Sequence, residues 1–147
     1  MKIRKAKMAD APALAGLSAE LGYPASPGEM AERLEQLLVK PDHGIFVAEY
    51  NMVAGWIHVT IVHSLESGAF AEIRGLVVAK SHRGAGIGTQ LVRKAEDWAQ
   101  THGCRRIRVR TNTIREDAKA FYHKRGFAPK KTQEVLDKDF HNILNFP

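Results

Sequence analysis

Hydrophobic positions along this chain change their period several times, and each change marks an element. Residues 2–6 read as a short strand. In DAPALAGLSAEL, Leu14, Leu17 and Leu21 fall at helical spacing behind Asp10 as N-cap, and Gly22-Tyr23-Pro24 breaks the helix. A second helix is predicted over 27–39, with Pro27 in its first turn and Met30, Leu34, Leu37 and Leu38 on its inner stripe; Pro41 ends it. IFVAE (45–49) and MVAGWIHVTIVH (52–63) read as antiparallel strands joined at Tyr50-Asn51. AFAEIRGLVV (69–78) is a fourth strand and runs directly into SHRGAGIGTQL. The next helix keeps Ile87, Leu91, Ala95 and Trp98 on one side, and Gly103 stops it. CRRIRVRT alternates as a strand, with Ile107, Val109 and Thr111 on one face. Thr113 to Glu116 has the form of a capping box for a helix carrying Ala118, Phe121 and Tyr122, which Gly126 terminates; residues 127–147 read as one or two further strands. No repeat, linker or second domain interrupts this order, so residues 1–147 are expected to form one domain, a mixed α/β sheet covered by helices.

Composition narrows the class without choosing a function. Hydrophobic residues at 44% and charged residues at 26% suit a soluble globular domain rather than a disordered chain. Every apolar run is too short to span a bilayer, and the segment after MKIRKAKMAD lacks a signal-peptide apolar region, so a cytoplasmic protein with no membrane partner is expected. The lone Cys104 excludes an internal disulfide and reads as a small buried side chain. The histidines show no metal-ligand spacing, and no metal is expected. A net charge of +6 suggests an anionic ligand. Because acids are interleaved with the bases and no nucleic-acid motif appears, nucleic acid is not the expected partner.

The stretch SHRGAGIGTQL carries the candidate chemistry. A helix N-terminus presents N–H groups without internal partners and partial positive charge; glycines let backbone approach a phosphate, and an adjacent Arg83 adds a full charge. A tight turn that needs glycine only for its dihedrals is the alternative. Gly84, Gly86 and Gly88 do not have the dinucleotide spacing G-x-G-x-x-G, and GxxxxGK[ST] is absent.

Together, R-x-x-G-x-G between an apolar strand and an apolar helix, and AFYHKRGF at 120–127, resemble the GNAT superfamily of acyl-CoA N-acyltransferases, specifically over residues 70–127. The resemblance implies a mostly antiparallel sheet of about six or seven strands flanked by about four helices, with strands four and five splayed. It implies acetyl-CoA as co-substrate. Its diphosphate would rest on the backbone of Arg83, Gly84, Ala85, Gly86, Ile87, Gly88 and Thr89, and its pantetheine arm on that of Leu76, Val77 and Val78. Arg115 stands where many relatives carry a cofactor-touching Asn, with Asn112 a turn earlier; it could grip the cofactor or simply be a surface arginine.

Acetyl transfer to an amine needs a group that removes or binds the ammonium proton and a donor to the leaving sulfur. Strand alternation puts Glu72, Arg74, Leu76 and Val78 on one face and offers Glu72 as base or amine-binding group, against the plainer role of neutralising Arg74. The resemblance implies Tyr122 as the acid, against a packed core tyrosine. Tyr23, Trp56 and His58 are candidates for the acceptor pocket, or ordinary core. The resulting expectation is an N-acetyltransferase acting on a primary amine, of a small molecule first and of a protein second, working by direct attack in a ternary complex. A non-catalytic acyl-CoA sensor is the competing class, and pairing into a homodimer is a further implication of the resemblance.

Overall fold

The computed structural model describes residues 1–111 and 115–140. Its contacts divide into two compact units, Met1–Arg110 and Thr111–Pro147. The first unit runs β1 (Lys2–Lys5), a 3-10 turn (Met8–Asp10), α1 (Ala11–Glu20), α2 (Pro27–Leu38), β2 (His43–Glu49), β3 (Val53–Ser64), β4 (Gly68–Val78), a second 3-10 turn (Lys80–His82), α3 (Ile87–Thr101) and β5 (Ile107–Val109). The second unit holds α4 (Glu116–Lys124).

The strands lie in the order β1-β2-β3-β4-β5. The first four pair antiparallel, and β5 lies parallel to β4. β5 pairs only with Ala71, Glu72 and Ile73, so residues 74–78 of β4 run on past it. That is the expected splay, and it comes at the end of β4 that feeds the glycine turn.

Each face of the sheet has its own helices. α1 and α2 cover one, where Ala11, Leu14 and Leu34 pack with Ile45 and Val47, and Leu17 packs with Val77. α2 is well specified locally: Ser26 accepts from the Glu29 N–H and Glu29 returns the bond to the Ser26 N–H, a complete capping box. α3 covers the other face with Ile87, Leu91, Val92, Ala95 and Ala99, all buried. It comes close because Gly55 offers no side chain: a Cβ there would lie 3.2 Å from Leu91 Cδ1 and 2.9 Å from the Val77 carbonyl oxygen. Burying a side chain such as Leu91 contributes about 2–3 kcal/mol, so this stripe fixes where the N-terminus of α3 sits.

Four expectations are corrected. The sheet has five strands among the described residues rather than six or seven: residues 127–140 of the expected tail form none, and residues 141–147 lie outside the described residues. Pro129 and the charges at 130, 131, 134 and 137–139 leave 128–140 no alternating apolar face, and that stretch is exposed throughout. Asp10 does not cap α1 with its side chain; its carboxylate receives two bonds from Arg4, at 2.8 and 2.9 Å, and one from the Lys7 N–H. α4 begins at Glu116, with Arg115 outside it; Thr113 and Asn112 lie outside the described residues. Finally, a bulge in β4 changes which residues share a face. His58 pairs with Gly75 but Val59 with Ile73, which leaves Arg74 as the extra residue. Glu72 therefore shares its face with Gly75 and Val77, alongside His58 and Trp56, while Leu76 and Val78 turn to the α3 side.

Candidate active site

The turn between β4 and α3 presents bare backbone at the start of a long helix. Gly84 and Gly86 take φ of +86° and +82°, a left-handed backbone that costs other residues, and a Cβ at either position would meet nothing within 4 Å. Gly86 is the N-cap of α3 and has no side chain with which to cap it. The first-turn amides of a 15-residue helix thus open onto a bare, exposed backbone with Arg83 beside it. Gly88 lies inside the first turn, so only two of the three glycines serve the turn's dihedrals. Leu76, Val77 and Val78 precede this turn on the part of β4 that has no β5 neighbour. These are the features that suit a diphosphate followed by an amide-bearing chain.

Across the sheet face from α3, Glu72 is the only buried carboxylate of β4, at 3% exposure. Both of its oxygens are engaged: Oε1 accepts from Arg74 Nη1, and Oε2 from Arg110 Nε at 3.3 Å. The two arginine side chains are each 52% exposed. The buried carboxylate therefore holds two guanidinium groups at the surface. A carboxylate offers about four lone-pair sites, and these bonds use two. Arg106 and Arg108 lie over the Phe70 ring, 4.7 and 4.4 Å from its centroid, and extend the positive surface.

Trp56 and His58 stand on the same face, as the alternation predicts. The Trp56 ring occupies the space that Gly75 leaves, where a Cβ would come within 2.8 Å of it. Its indole N–H is buried and has no partner among the described residues, a costly position for a donor. His58 Nε2 lies 2.9 Å from His43 Nδ1, so one ring donates to the other, and His43 Nε2 is 3.3 Å from the Thr60 hydroxyl. Burial first, then the neighbouring His43 and Arg74, push His58 down to about 4. At neutral pH His58 is uncharged and serves as a packed hydrogen-bonding ring.

That pairing makes a pH prediction. An unfolded histidine titrates near 6.5. Between that value and about 4 the unfolded chain binds a proton that the folded His58 refuses, so stability falls as the solution is acidified through this window. The contribution is bounded by about 3 kcal/mol. Thermal unfolding followed from pH 7 to pH 4 should show a drop that His58→Gln flattens. Asp10, held below its ordinary value mainly by Arg4, adds a loss only under about pH 4. Parallel slopes for wild type and His58→Gln would remove His58 from the account.

In the second unit, the Tyr122 ring stands edge-on to Phe121 and Phe127, with centroids 5.0 and 5.4 Å away. Arg125 lies over Phe121 and donates to its carbonyl. Burial pushes the Tyr122 hydroxyl up to about 12, against the opposing pull of Arg115 and Arg125. A phenol so placed keeps its proton at neutral pH and is suited to give a proton rather than to act as a base. Arg115 is exposed, and so is Tyr23, at 66%, in the break between α1 and α2. Cys104 is half-buried, and burial pushes its thiol up, away from nucleophilic use.

The structure thus gathers Glu72, Trp56 and His58 on one sheet face and leaves Tyr23 exposed beyond it. Sequence reasoning missed the partners: Arg110 on Glu72, and His43 on His58. One signal was present, since Arg106, Arg108 and Arg110 alternate along β5 and its two flanking residues, and the parallel register sets Arg108 opposite Glu72.

This arrangement, a strand that outruns its parallel neighbour, a left-handed glycine turn and an uncapped helix, agrees with the comparison to known sequences. Residues 12–127 match the acetyltransferase (GNAT) family. The chain belongs to that family, whose members use acetyl-CoA as co-substrate. An acetyl transferase of Oryza sativa subsp. japonica, GW6a, is 29% identical over 127 residues, covering 77% of this chain and 30% of that protein. The chain therefore spans under a third of that curated relative. Among solved structures, a transcriptional regulator from Bacillus halodurans superposes with a TM-score of 0.82 at 27% identity, covering 95% of this chain and 99% of the other. Glucosamine-6-phosphate N-acetyltransferase from Arabidopsis thaliana superposes with a TM-score of 0.78 at 25% identity, covering 94% and 98%.

Proposed function

We propose that this chain transfers the acetyl group of acetyl-CoA to the primary amine of a small molecule, by direct attack in a ternary complex. One observation carries the reading: the uncapped N-terminus of α3, opened by Gly84 and Gly86, follows directly on the strand that holds the buried Glu72. The likeness to the Arabidopsis enzyme, whose acceptor is a small amine, supports a small-molecule acceptor over a protein one.

In this reading the amides of residues 83–89 and the Arg83 guanidinium bind the diphosphate. The backbone of Leu76, Val77 and Val78 aligns the arm that ends in the thioester, with Arg115 as a further cofactor contact. Acetyl-CoA supplies a carbonyl carbon to which the C–N bond forms as the C–S bond breaks. Glu72 binds the acceptor's ammonium group and takes the proton that frees its lone pair. Tyr122 gives its proton to the departing sulfur; the nitrogen loses a second proton to solvent as the amide forms, and Tyr122 recovers one from there, so with the proton taken by Glu72 a single proton is released per turnover. Trp56, His58 and Tyr23 shape access for the acceptor.

The test is release of free thiol from acetyl-CoA over a panel of primary amines at several pH values. Tyr122→Phe should lower kcat about ten- to a hundredfold with little change in acetyl-CoA affinity, because it removes a proton donor and leaves the ring. The Bacillus halodurans likeness favours a second reading, an acyl-CoA-binding regulator. Tight acetyl-CoA binding with no thiol release on any amine would select it.

A further inference from the structure

We infer that the acceptor is an amine carrying its own oxyanion, a carboxylate or a phosphoryl group, and that Arg74 grips that anion while Glu72 takes the amine. The inference rests on the reading of Glu72 as the amine's partner and adds a substrate class to it. It starts from the ion pairs that converge on Glu72. A single carboxylate, buried at 3% exposure, holds Arg74 and Arg110, whose side chains are each half in solvent. A guanidinium has five N–H donors, and Arg74 gives Glu72 one bond. The remaining donors project from the sheet face at the place where the backbone bulges.

Alternation makes the pair, and the bulge clears the space beside it. Arg74 stands two residues from Glu72 on the same face, and because it is the extra residue of the bulge the next position on that face is Gly75, which contributes no side chain. Neutral His58 beside it adds no competing charge, and Arg108 over Phe70 adds to the positive field. A plain alkylammonium docking on Glu72 would displace the half-exposed Arg74 guanidinium from its carboxylate and offer it nothing in return. An acceptor with both signs exchanges one ion pair for two: its ammonium meets Glu72, and its oxyanion meets the displaced Arg74 in the planar, two-bond geometry guanidinium favours. No covalent step is added; Arg74 binds and selects.

Matched pairs of acceptors test this by thiol release: β-alanine against propylamine for the carboxylate, O-phosphoethanolamine against ethanolamine for the phosphoryl group. The oxyanion member of at least one pair should show a kcat/KM about ten- to a hundredfold higher, mostly through KM. The pair that responds identifies the oxyanion. Arg74→Gln should bring that ratio close to one, and Arg74→Lys should restore part of it. As a check that needs no variant, propionate or inorganic phosphate should compete with the amine and not with acetyl-CoA. Equal or better turnover of the plain amines, or a preference that survives in Arg74→Gln, overturns the inference and leaves the acetyltransferase reading standing. Thiol release with no amine in either pair or the wider panel overturns the reading beneath it.

Discussion

Glu72→Gln is expected to lower kcat for amine acetylation by about a hundred- to a thousandfold, the range for loss of a positioned proton acceptor. The substitution keeps the shape of the side chain and removes its charge. One face of the new amide still accepts from a guanidinium; the other presents N–H to N–H against Arg74 or Arg110. Both arginines are half exposed and can turn to water, so the fold should tolerate the change with a small loss in thermal stability. Calorimetry should find acetyl-CoA affinity nearly unchanged, because the side chain lies on the sheet face opposite α3. The kinetic pattern separates the two roles open to Glu72. A fall in kcat that higher pH partly reverses, as solvent strips the ammonium in place of the carboxylate, marks a base. A rise in amine KM at constant kcat marks a binding group. Full activity in the variant would reduce Glu72 to an anchor for two surface arginines.

How far the sequence carried this account depends on the range of the interaction. α3 was legible to its limits because its stripe, its glycine entry and its Gly103 exit are all local patterns. β2, β3 and β4 were legible for the same reason, within one or two residues at their ends. The bulge at Arg74 was not, since nothing in EIRGLVV distinguishes a strand of even period from one that slips a residue against its partner. That slip moved Leu76 and Val78 to the other face. Asp10 was misread because an N-cap is inferred from neighbours, whereas its real partner, Arg4, reaches it from β1. The pairing of Glu72 with Arg110 spans 38 positions and depends on a parallel register set by tertiary packing. The tail, read as one or two further strands, was overread over 128–140: Val135, Leu136 and Phe140 lie 81%, 80% and 69% exposed among charges there. Short-range periodicity fixes elements; the ion pairs that tune a site come from which elements meet.

Gly86→Val is the sharpest test of the anion site, and Gly103→Val is its internal control. The two glycines bracket α3 and share a φ of +82°, and a Cβ at either meets nothing within 4 Å. A β-branched residue in that left-handed region costs about 1–2 kcal/mol, so both variants should lose a similar few degrees of Tm. Only one of them faces the proposed ligand. Gly86 caps the end of α3 where free amides and positive dipole charge collect; Gly103 follows the end where carbonyls do. Valine at 86 sets two methyl groups over those amides and tilts the first turn, while Ile87 and Leu91 keep the rest of the helix docked. Acetyl-CoA affinity should therefore drop about a hundredfold, near the loss of two charge-assisted hydrogen bonds, and Gly103→Val should bind as wild type does. Desulfo-CoA, which keeps the diphosphate and lacks the sulfur, should lose affinity in the same proportion, placing the defect at the phosphates. Equal binding by both variants would mean that the left-handed glycines serve only to turn the chain, and that the cofactor's charge is met elsewhere.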